Sequence, residues 1–531
     1  MNTSHKTYQR RDVLGVGAVL LAGGVGLASQ SMRTAEATTG DVTTPISNQR
    51  SLPLAVKFAE PASGNVATAA ATGTPMQVFN VLDYGATGDG VHDDTPALIA
   101  ALAAVPPPGG VIYFPPGVFL FGGTGAANGP IINRSNITIQ GAGPATRIIA
   151  RGPLSNGSPT GNMTPINFSG TAGAHLSNIT VRDLCISGVS SGGAQVGTWA
   201  AIYFNYVDHL VVRDCSVENV GGDGQFGACG IWAQHCDKGV ITTNRVSHCG
   251  YTGVLIDDCT GMQISDNTIQ ACGNHGINAN GICDGLVVRG NRCIQNGFPL
   301  GQTGVPSAGR EGRCGITLSD NANGTPNTAV IADNFIDGNG DHGILVIFWN
   351  GGSERLDLSQ WKAISITGNT IVNHMNWPRG GAGVQIEQAK HVTVSGNSFY
   401  NNRQGVNVHN GYRSTISNNM INSCSKFGIS LGNATQTSIT SNSIYGCGFE
   451  PGFNGHGIDF SYVPSPVGNQ YSTDNVVSSN RILNCTAQDI NIQAGCVRNL
   501  LVGNVTSKPV SDANPPQANT FAQALNTVVP S

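Results

Sequence analysis

Two acidic residues stand side by side at Asp257-Asp258, directly after the apolar triplet Val254-Leu255-Ile256. A third acid, Asp320, follows the similar stretch Ile316-Thr317-Leu318. Paired carboxyls are the equipment of glycoside cleavage: one protonates the leaving oxygen, the other activates water, and a separation of about 6.5–9.5 Å suits inversion. Adjacent carboxyls also repel each other's charge, which holds one of them protonated, as an acid catalyst requires. His235 follows Ile231-Trp232-Ala233 in the same frame, which brings an imidazole beside either acid. Glu387 and His409 form a second constellation, in which a carboxylate beside an imidazole suits a general base or a metal ligand. A surface hydrogen bond is the plainer reading of that pair. Trp232, Phe348 and Trp349 offer rings that stack on sugars, and Asp459 adds an acid further along. Asp257, Asp258, Asp320, Glu387 and His409 are therefore the candidates for chemistry. His235, Trp232, Phe348, Trp349 and Asp459 are the candidates for holding substrate.

One repeat has to position them all. A glycine or small residue precedes an apolar-x-apolar triplet at Ile202, Ile231, Val254, Ile277, Ile316, Ile344, Val384, Val406, Ile429, Ile458 and Ile490. Where no insertion intervenes the starts lie 22 or 23 residues apart, a period that marks a solenoid. An apolar-x-x-Asn-x-apolar motif runs in phase with it, with Asn at 244, 267, 334, 369, 397, 419, 442 and 480 and variants at 291 and 504. Asn tolerates the left-handed backbone of tight turns, and stacked Asn side chains hydrogen-bond from coil to coil. Strands that recur in one direction every coil are parallel, and their crossovers are right-handed. The expected fold is all-β, a right-handed single-stranded parallel β-helix with alternate residues pointing into a dry core. Stacking at about 4.8 Å per row puts Glu387 beside His409, and Asp257 or Asp258 about 10 Å from Asp320. The open edge of such a stack needs a cap. Thr95-Pro96 followed by good helix formers to Leu102 predicts a capping helix with Thr95 as N-cap.

The segment before that helix is specific. Phe79-Asn80-Val81-Leu82-Asp83-Tyr84-Gly85-Ala86-Thr87-Gly88-Asp89-Gly90 leads into Asp93-Asp94-Thr95, and Gly109 to Gly117 reads GGVIYFPPG. This resembles the start of the pectate lyase-like superfamily, which includes polygalacturonases, rhamnogalacturonases, many lyases, mannuronan epimerases and phage tailspikes. The resemblance is close over residues 78 to 125 and implies the β-helix fold and a glycan as substrate or ligand. The chain departs from particular members. The Asp pair follows the strand's apolar residues, whereas in polygalacturonases it precedes the strand, and no Arg-Ile-Lys follows Gly455-His456-Gly457. The Asp-Pro-His-Glu signature of mannuronan epimerases is absent.

Charged residues are 11% of the 531, and the formal net charge is −4, which excludes a nucleic-acid partner on electrostatic grounds. Arg10-Arg11, the apolar run Val13–Leu27 and Ala35-Glu36-Ala37 have the layout of a twin-arginine signal with its cleavage site. That run falls short of the ~20 apolar residues needed to span a bilayer. The chain divides into a signal over 1–37, a loosely ordered arm over 38–77, the β-helix over 78–507 and a tail over 508–531. The expected location is periplasmic or secreted, with no membrane span. Cys236 and Cys259, Cys249 and Cys272, and Cys424 and Cys447 are each 23 residues apart. Stacked disulfides and a ladder of buried thiols both fit that spacing. No Cys-x-x-Cys pair has zinc spacing, and no metal ligands are expected. Few basic residues flank the strands; only the insertion carrying Arg310 and Arg313 supplies any. A uronate polymer would thus need calcium to bridge its carboxylates to these acids. The reading is an exported polysaccharide-cleaving enzyme, a glycoside hydrolase first and a lyase or uronate epimerase second, with a non-catalytic glycan-binding shaft as the third class. Oligomerisation is left open.

Overall fold

The computed structural model describes residues 76–529 except for several connecting stretches, chiefly 123–129, most of 151–163, 196–199, 222–227, 299–312, 321–326, 349–360, 376–380 and 464–469. The expected signal and nearly all of the expected arm lie outside the described residues. Three sheets of sixteen, fifteen and sixteen strands run through the rest; their strands are parallel and one coil apart in sequence from their neighbours, except Gln470–Tyr471, which pairs antiparallel at the edge of the second. The fold is the expected right-handed β-helix.

The apolar triplets set the register. Ile231, Val254, Ile277, Ile316, Ile344, Val384, Val406, Ile429, Ile458 and Ile490 stand opposite one another from coil to coil. Each is fully buried, as are the residues two positions on, Ile256 among them. Because side chains alternate along a strand, the residues between and after them face outward.

All ten motif asparagines belong to one buried ladder. In each rung the side-chain amide of one Asn donates to the carboxamide oxygen of the next, as from Asn334 to Asn369 (2.9 Å) and Asn369 to Asn397 (2.9 Å). The backbone N–H donates to the same oxygen, and the amide also reaches a carbonyl of the preceding coil, as Asn369 does to Ile331 (3.0 Å). The left-handed residue is not the Asn itself but the one before it: Thr243, Asp266, Gly290, Asp333, Gly368, Gly396, Asn418, Ser441, Ser479 and Gly503 all have φ between 55° and 67°. The Asn is kept for its amide, and its neighbour makes the bend.

The capping helix spans Thr95–Ala104 and buries Ala97, Leu98, Ala101 and Leu102 against the first coil. Its N-cap is Asp94 rather than Thr95. Asp94 uses its carboxylate elsewhere, accepting from the Thr87 and Leu120 N–H groups at 2.7 and 3.3 Å. The stretch after Lys508 is not a loose tail: Ser511–Asp512, Thr520–Ala522 and Thr527–Val528 pair in parallel with the preceding coil. All fourteen cysteines are free and thirteen are buried, so of the two readings the thiol ladder is the one present. Among the described residues no helix is long and apolar enough to cross a membrane.

Candidate active site

The fifteen-stranded sheet carries Ala200–Asn205, Cys229–Gln234, Val254–Asp257 and Ile277–Asn280 as neighbours. Their outward residues fall into columns. Tyr203, Trp232 and Leu255 share one, and Asn205, Gln234, Asp257 and Asn280 share the next. The following residue of each coil turns the chain, and Tyr206, His235 and Asp258 hold φ of 53°, 51° and 50°. Asp and His enter this region more readily than most residues. In Asp258 the bend is fixed by its Oδ1, which accepts from the Ile282 N–H at 2.8 Å. Gly281 leaves room for that carboxylate, since a Cβ there would meet Asp258 Oδ1 at 2.2 Å.

A hydrogen-bonded chain runs along the second column. The Tyr203 hydroxyl donates to Gln234 Oε1 (2.7 Å) and Gln234 Nε2 to Asp257 Oδ2 (3.3 Å). Asn280 Nδ2 donates to Asp257 Oδ1 (2.9 Å), and the Ser319 hydroxyl to Asn280 Oδ1 (3.1 Å). Burial raises the Asp257 carboxyl above its ordinary range; the Asn280 amide opposes this, and the Asp258 charge adds to it. The expected cause, repulsion within the acid pair, is thus secondary to desolvation. Burial likewise pushes the Tyr203 phenol up to about 12, so it keeps its proton.

The turn column forms a second line of contacts. His175 packs against Tyr206 (5.3 Å between centroids), and Tyr206 stacks on His235 at 4.6 Å with planes 9° apart. His235 Nδ1 faces Asn205 Oδ1 at 3.3 Å, and Nε2 faces Asp258 Oδ2 at 3.9 Å. With Nδ1–H donating to the carboxamide oxygen, Nε2 carries the lone pair and faces the Asp258 carboxylate. An imidazole, a carboxylate and a half-buried carboxyl of raised pKa therefore share one patch of two adjoining coils.

The other expected residues are distributed differently. Glu387 and His409 are strand partners, with Oε1 and Nδ1 3.8 Å apart and both a third exposed. They form a surface pair several coils from Asp257. Asp320 lies two rows from Asp258 on the strand Ile316–Asp320, opposite Phe348. The Asp320 and Phe348 side chains and the whole of Trp349 lie outside the described residues. Two expectations are corrected. Trp232 is only 5% exposed and meets Tyr203 edge-to-face at 5.2 Å. It packs with Leu255, Ala200 and Cys229 in a small outer core and presents no face for a sugar. Asp459 is 1% exposed, with Asn491 Nδ2 donating to it at 2.7 Å, so it cannot touch a polymer on the surface.

Residue-type reasoning missed Gln234 and Asn280 as partners of Asp257. Their signal was the row itself, since residues one coil apart in register must touch. Among the described residues no group of three or more His, Cys, Asp or Glu side chains converges tightly enough to hold a cation. The described residues do not by themselves make a calcium site.

Residues 78–297 match the family described as Rhamnogalacturonase A/epimerase, pectate lyase-like, and residues 347–513 match the right-handed β-helix region family. Among curated proteins, Mannuronan C5-epimerase AlgE3 of Azotobacter vinelandii is 30% identical over 223 residues, 41% of this chain and 12% of that protein. Alginate lyase 7 of the same organism is 45% identical over 73 residues, 13% of this chain and 8% of that protein. The matched regions are thus a small part of these relatives' own length. Among solved structures, a tailspike protein double mutant of E. coli bacteriophage HK620 has a TM-score of 0.54 at 13% identity, covering 84% of this chain and 78% of that one; it shares the fold. The two partial matches and the coil register show a right-handed parallel β-helix whose residues 78–297 are similar to the pectate lyase-like family.

Proposed function

We propose that this protein is an exported enzyme that modifies a uronate polysaccharide of the alginate kind by removing the proton at C5, leading to epimerisation or to β-elimination. The observation that carries the reading is the set of His235, Asp258 and Asp257 on adjoining coils: an imidazole with its lone pair at Nε2, a carboxylate 3.9 Å from it, and a half-buried carboxyl with a raised pKa. The relatives named as mannuronan C5-epimerases and as an alginate lyase support it over hydrolysis.

The C5 proton of a uronate is acidic only because its electron pair can move into the adjacent carboxylate. A second negative charge then builds on the carboxylate oxygens. Burial holds the Asp257 carboxyl above its ordinary range, and in its protonated form it lowers this barrier by donating a hydrogen bond there. His235 Nε2 takes the proton, and the Asp258 carboxylate stabilises the imidazolium formed. The intermediate then has two fates. A proton delivered to the opposite face of C5 gives the epimer, with no net change of atoms. Breakage of the C4–O bond, with a proton supplied to the leaving oxygen, gives a 4,5-unsaturated sugar and a new chain end. Tyr203, held protonated beside Gln234, is the acid available for either.

Purified mature protein given oligomannuronate tests this. The expected products are guluronate residues seen by NMR or unsaturated ends seen by ultraviolet absorbance. His235→Asn and Asp257→Asn should each reduce the rate by about 10²–10⁴ while remaining folded. New reducing ends without unsaturation, carrying oxygen from labelled water, would make the protein a hydrolase. Asp257 would then serve as the acid and Asp258 as the base. Retention of neutral glycans with no turnover of any would leave it a binding shaft.

A further inference from the structure

Six strand rows beyond Asp257, about 30 Å at ~4.8 Å per row, the same sheet carries a concentration of charge that the proposed chemistry does not use. The Lys426 ammonium lies between the rings of Phe427 and Phe453, 5.0 and 4.7 Å from their centroids. Among the described residues no carboxylate forms an ion pair with it. The ring faces hold it in place, but its N–H donors remain available. Burial and then the neighbouring Arg403 guanidinium lower its pKa, against the opposing charges of Glu450 and Asp459. Behind it Phe427 stacks on His456 at 5.9 Å, with planes 11° apart. The His456 ring is 7% exposed, its Nδ1 is buried without a partner, and its Nε2 is 3.8 Å from the buried Asp459.

The loop over this cluster is built to stay in place. It reads Phe449-Glu450-Pro451-Gly452-Phe453-Asn454 and shows both phenylalanines to solvent, 49% and 39% exposed. Glu450 anchors it: Arg403 grips the carboxylate with two nitrogens at 2.9 and 3.1 Å, the Ser425 hydroxyl donates at 3.3 Å, and the Glu450 N–H donates to the Ser425 carbonyl at 2.7 Å. A two-pronged ion pair this far out of water adds little net stability but fixes geometry. In a chain with so few charges, its effect is to hold two exposed rings beside an available ammonium.

We infer that Lys426 with Phe427, Phe449 and Phe453 forms a second carbohydrate subsite, which takes one carboxylated sugar of a polymer lying along the sheet from Asp257. The aromatic faces suit the C–H face of a pyranose, and the ammonium suits its carboxylate. A neutral sugar has no use for the cation, and a bare anion has none for the rings. The inference rests on the uronate reading and names where the polymer is held far from the chemistry.

Calorimetric titration in the Asp257→Asn background, which leaves the ligand unaltered, tests it with oligomannuronate long enough to reach both loci. Lys426→Met should raise Kd about tenfold or more, the value of one charge-assisted contact. Lys426→Arg should keep most of the affinity, and Phe453→Ala should weaken it with the fold intact by circular dichroism. A neutral cello-oligosaccharide of equal length should bind more weakly and be indifferent to Lys426. Equal Kd for Lys426→Met and its parent overturns the subsite, as does a neutral oligosaccharide that binds as tightly as the uronate. If long oligouronates bind in a Lys426-dependent way yet the wild type never turns them over, the subsite stands and the Asp257 chemistry falls.

Discussion

Asp257 owes its properties to two competing surroundings. Its oxygens accept from Gln234 and Asn280, which favours the charged form, while burial opposes charge and prevails. A carboxyl whose pKa rises on folding binds its proton more tightly in the folded chain. Its contribution to stability is therefore full in acid and lost as pH rises through the raised value. Asp257→Asn has no such proton, so its Tm should gain on the wild type as pH rises above the ordinary carboxyl range of about pH 4. A Tm difference that stays flat as pH rises would remove burial as the cause. Gly281→Ala acts on the neighbouring acid. The new Cβ would lie 2.2 Å from Asp258 Oδ1 at φ of +74°, so the carboxylate must shift and give up its bond from the Ile282 N–H. Turnover should fall with only modest loss of stability, of about 1–2 kcal/mol for a left-handed residue with a side chain. Normal turnover in a folded Gly281→Ala protein would separate Asp258 from the chemistry. Asp257, Asp258 and His235 were legible as one patch because strand register is read directly from the triplets. The burial of Trp232 was not, because an outward strand position says nothing about what covers it.

At the scale of the coil, two devices hold each strand in register: the apolar triplet inside and the asparagine ladder at the bend. Removing either should act at long range along the stack. Ile256→Asp places a charge in a fully buried position on the strand that ends in Asp257. The expected result is misfolding or a loss of several kcal/mol by denaturant titration. Asn369→Ala strands the Asn334 amide and the Ile331 carbonyl, each buried and each bonded to Asn369. A cost of about 1–3 kcal/mol follows from unpaired buried groups of this kind. An unchanged midpoint for Asn369→Ala would mean that water replaces the rung. The ladder was legible to the residue, but the role of each position was not. Sequence shows an Asn near each turn, and only the backbone shows that the left-handed bend belongs to the residue before it.

For the molecule as a whole, fold and function were legible to different depths. Period, register and the motif before the capping helix are properties of every coil, and they predicted the architecture correctly. Chemistry depends on a few outward residues whose burial and partners no periodicity encodes. The Lys426 platform depends on a loop whose anchoring ion pair joins residues 403 and 450. Export is proposed from the first residues alone, which lie outside the described residues. Arg10→Lys with Arg11→Lys should leave uncleaved precursor in the cytoplasm, seen by fractionation, and normal export of that double variant would contradict the twin-arginine reading.

The most direct test of the proposed chemistry is deuterium at C5. Wild-type protein incubated with oligomannuronate in D2O should place deuterium on every epimerised residue, or should release 4,5-unsaturated ends whose former C5 proton appears in solvent. His235→Asn should abolish both signals. Turnover of the substrate with its C5 proton fully retained and oxygen from water at a new reducing end would contradict proton abstraction, and with it the role assigned to His235.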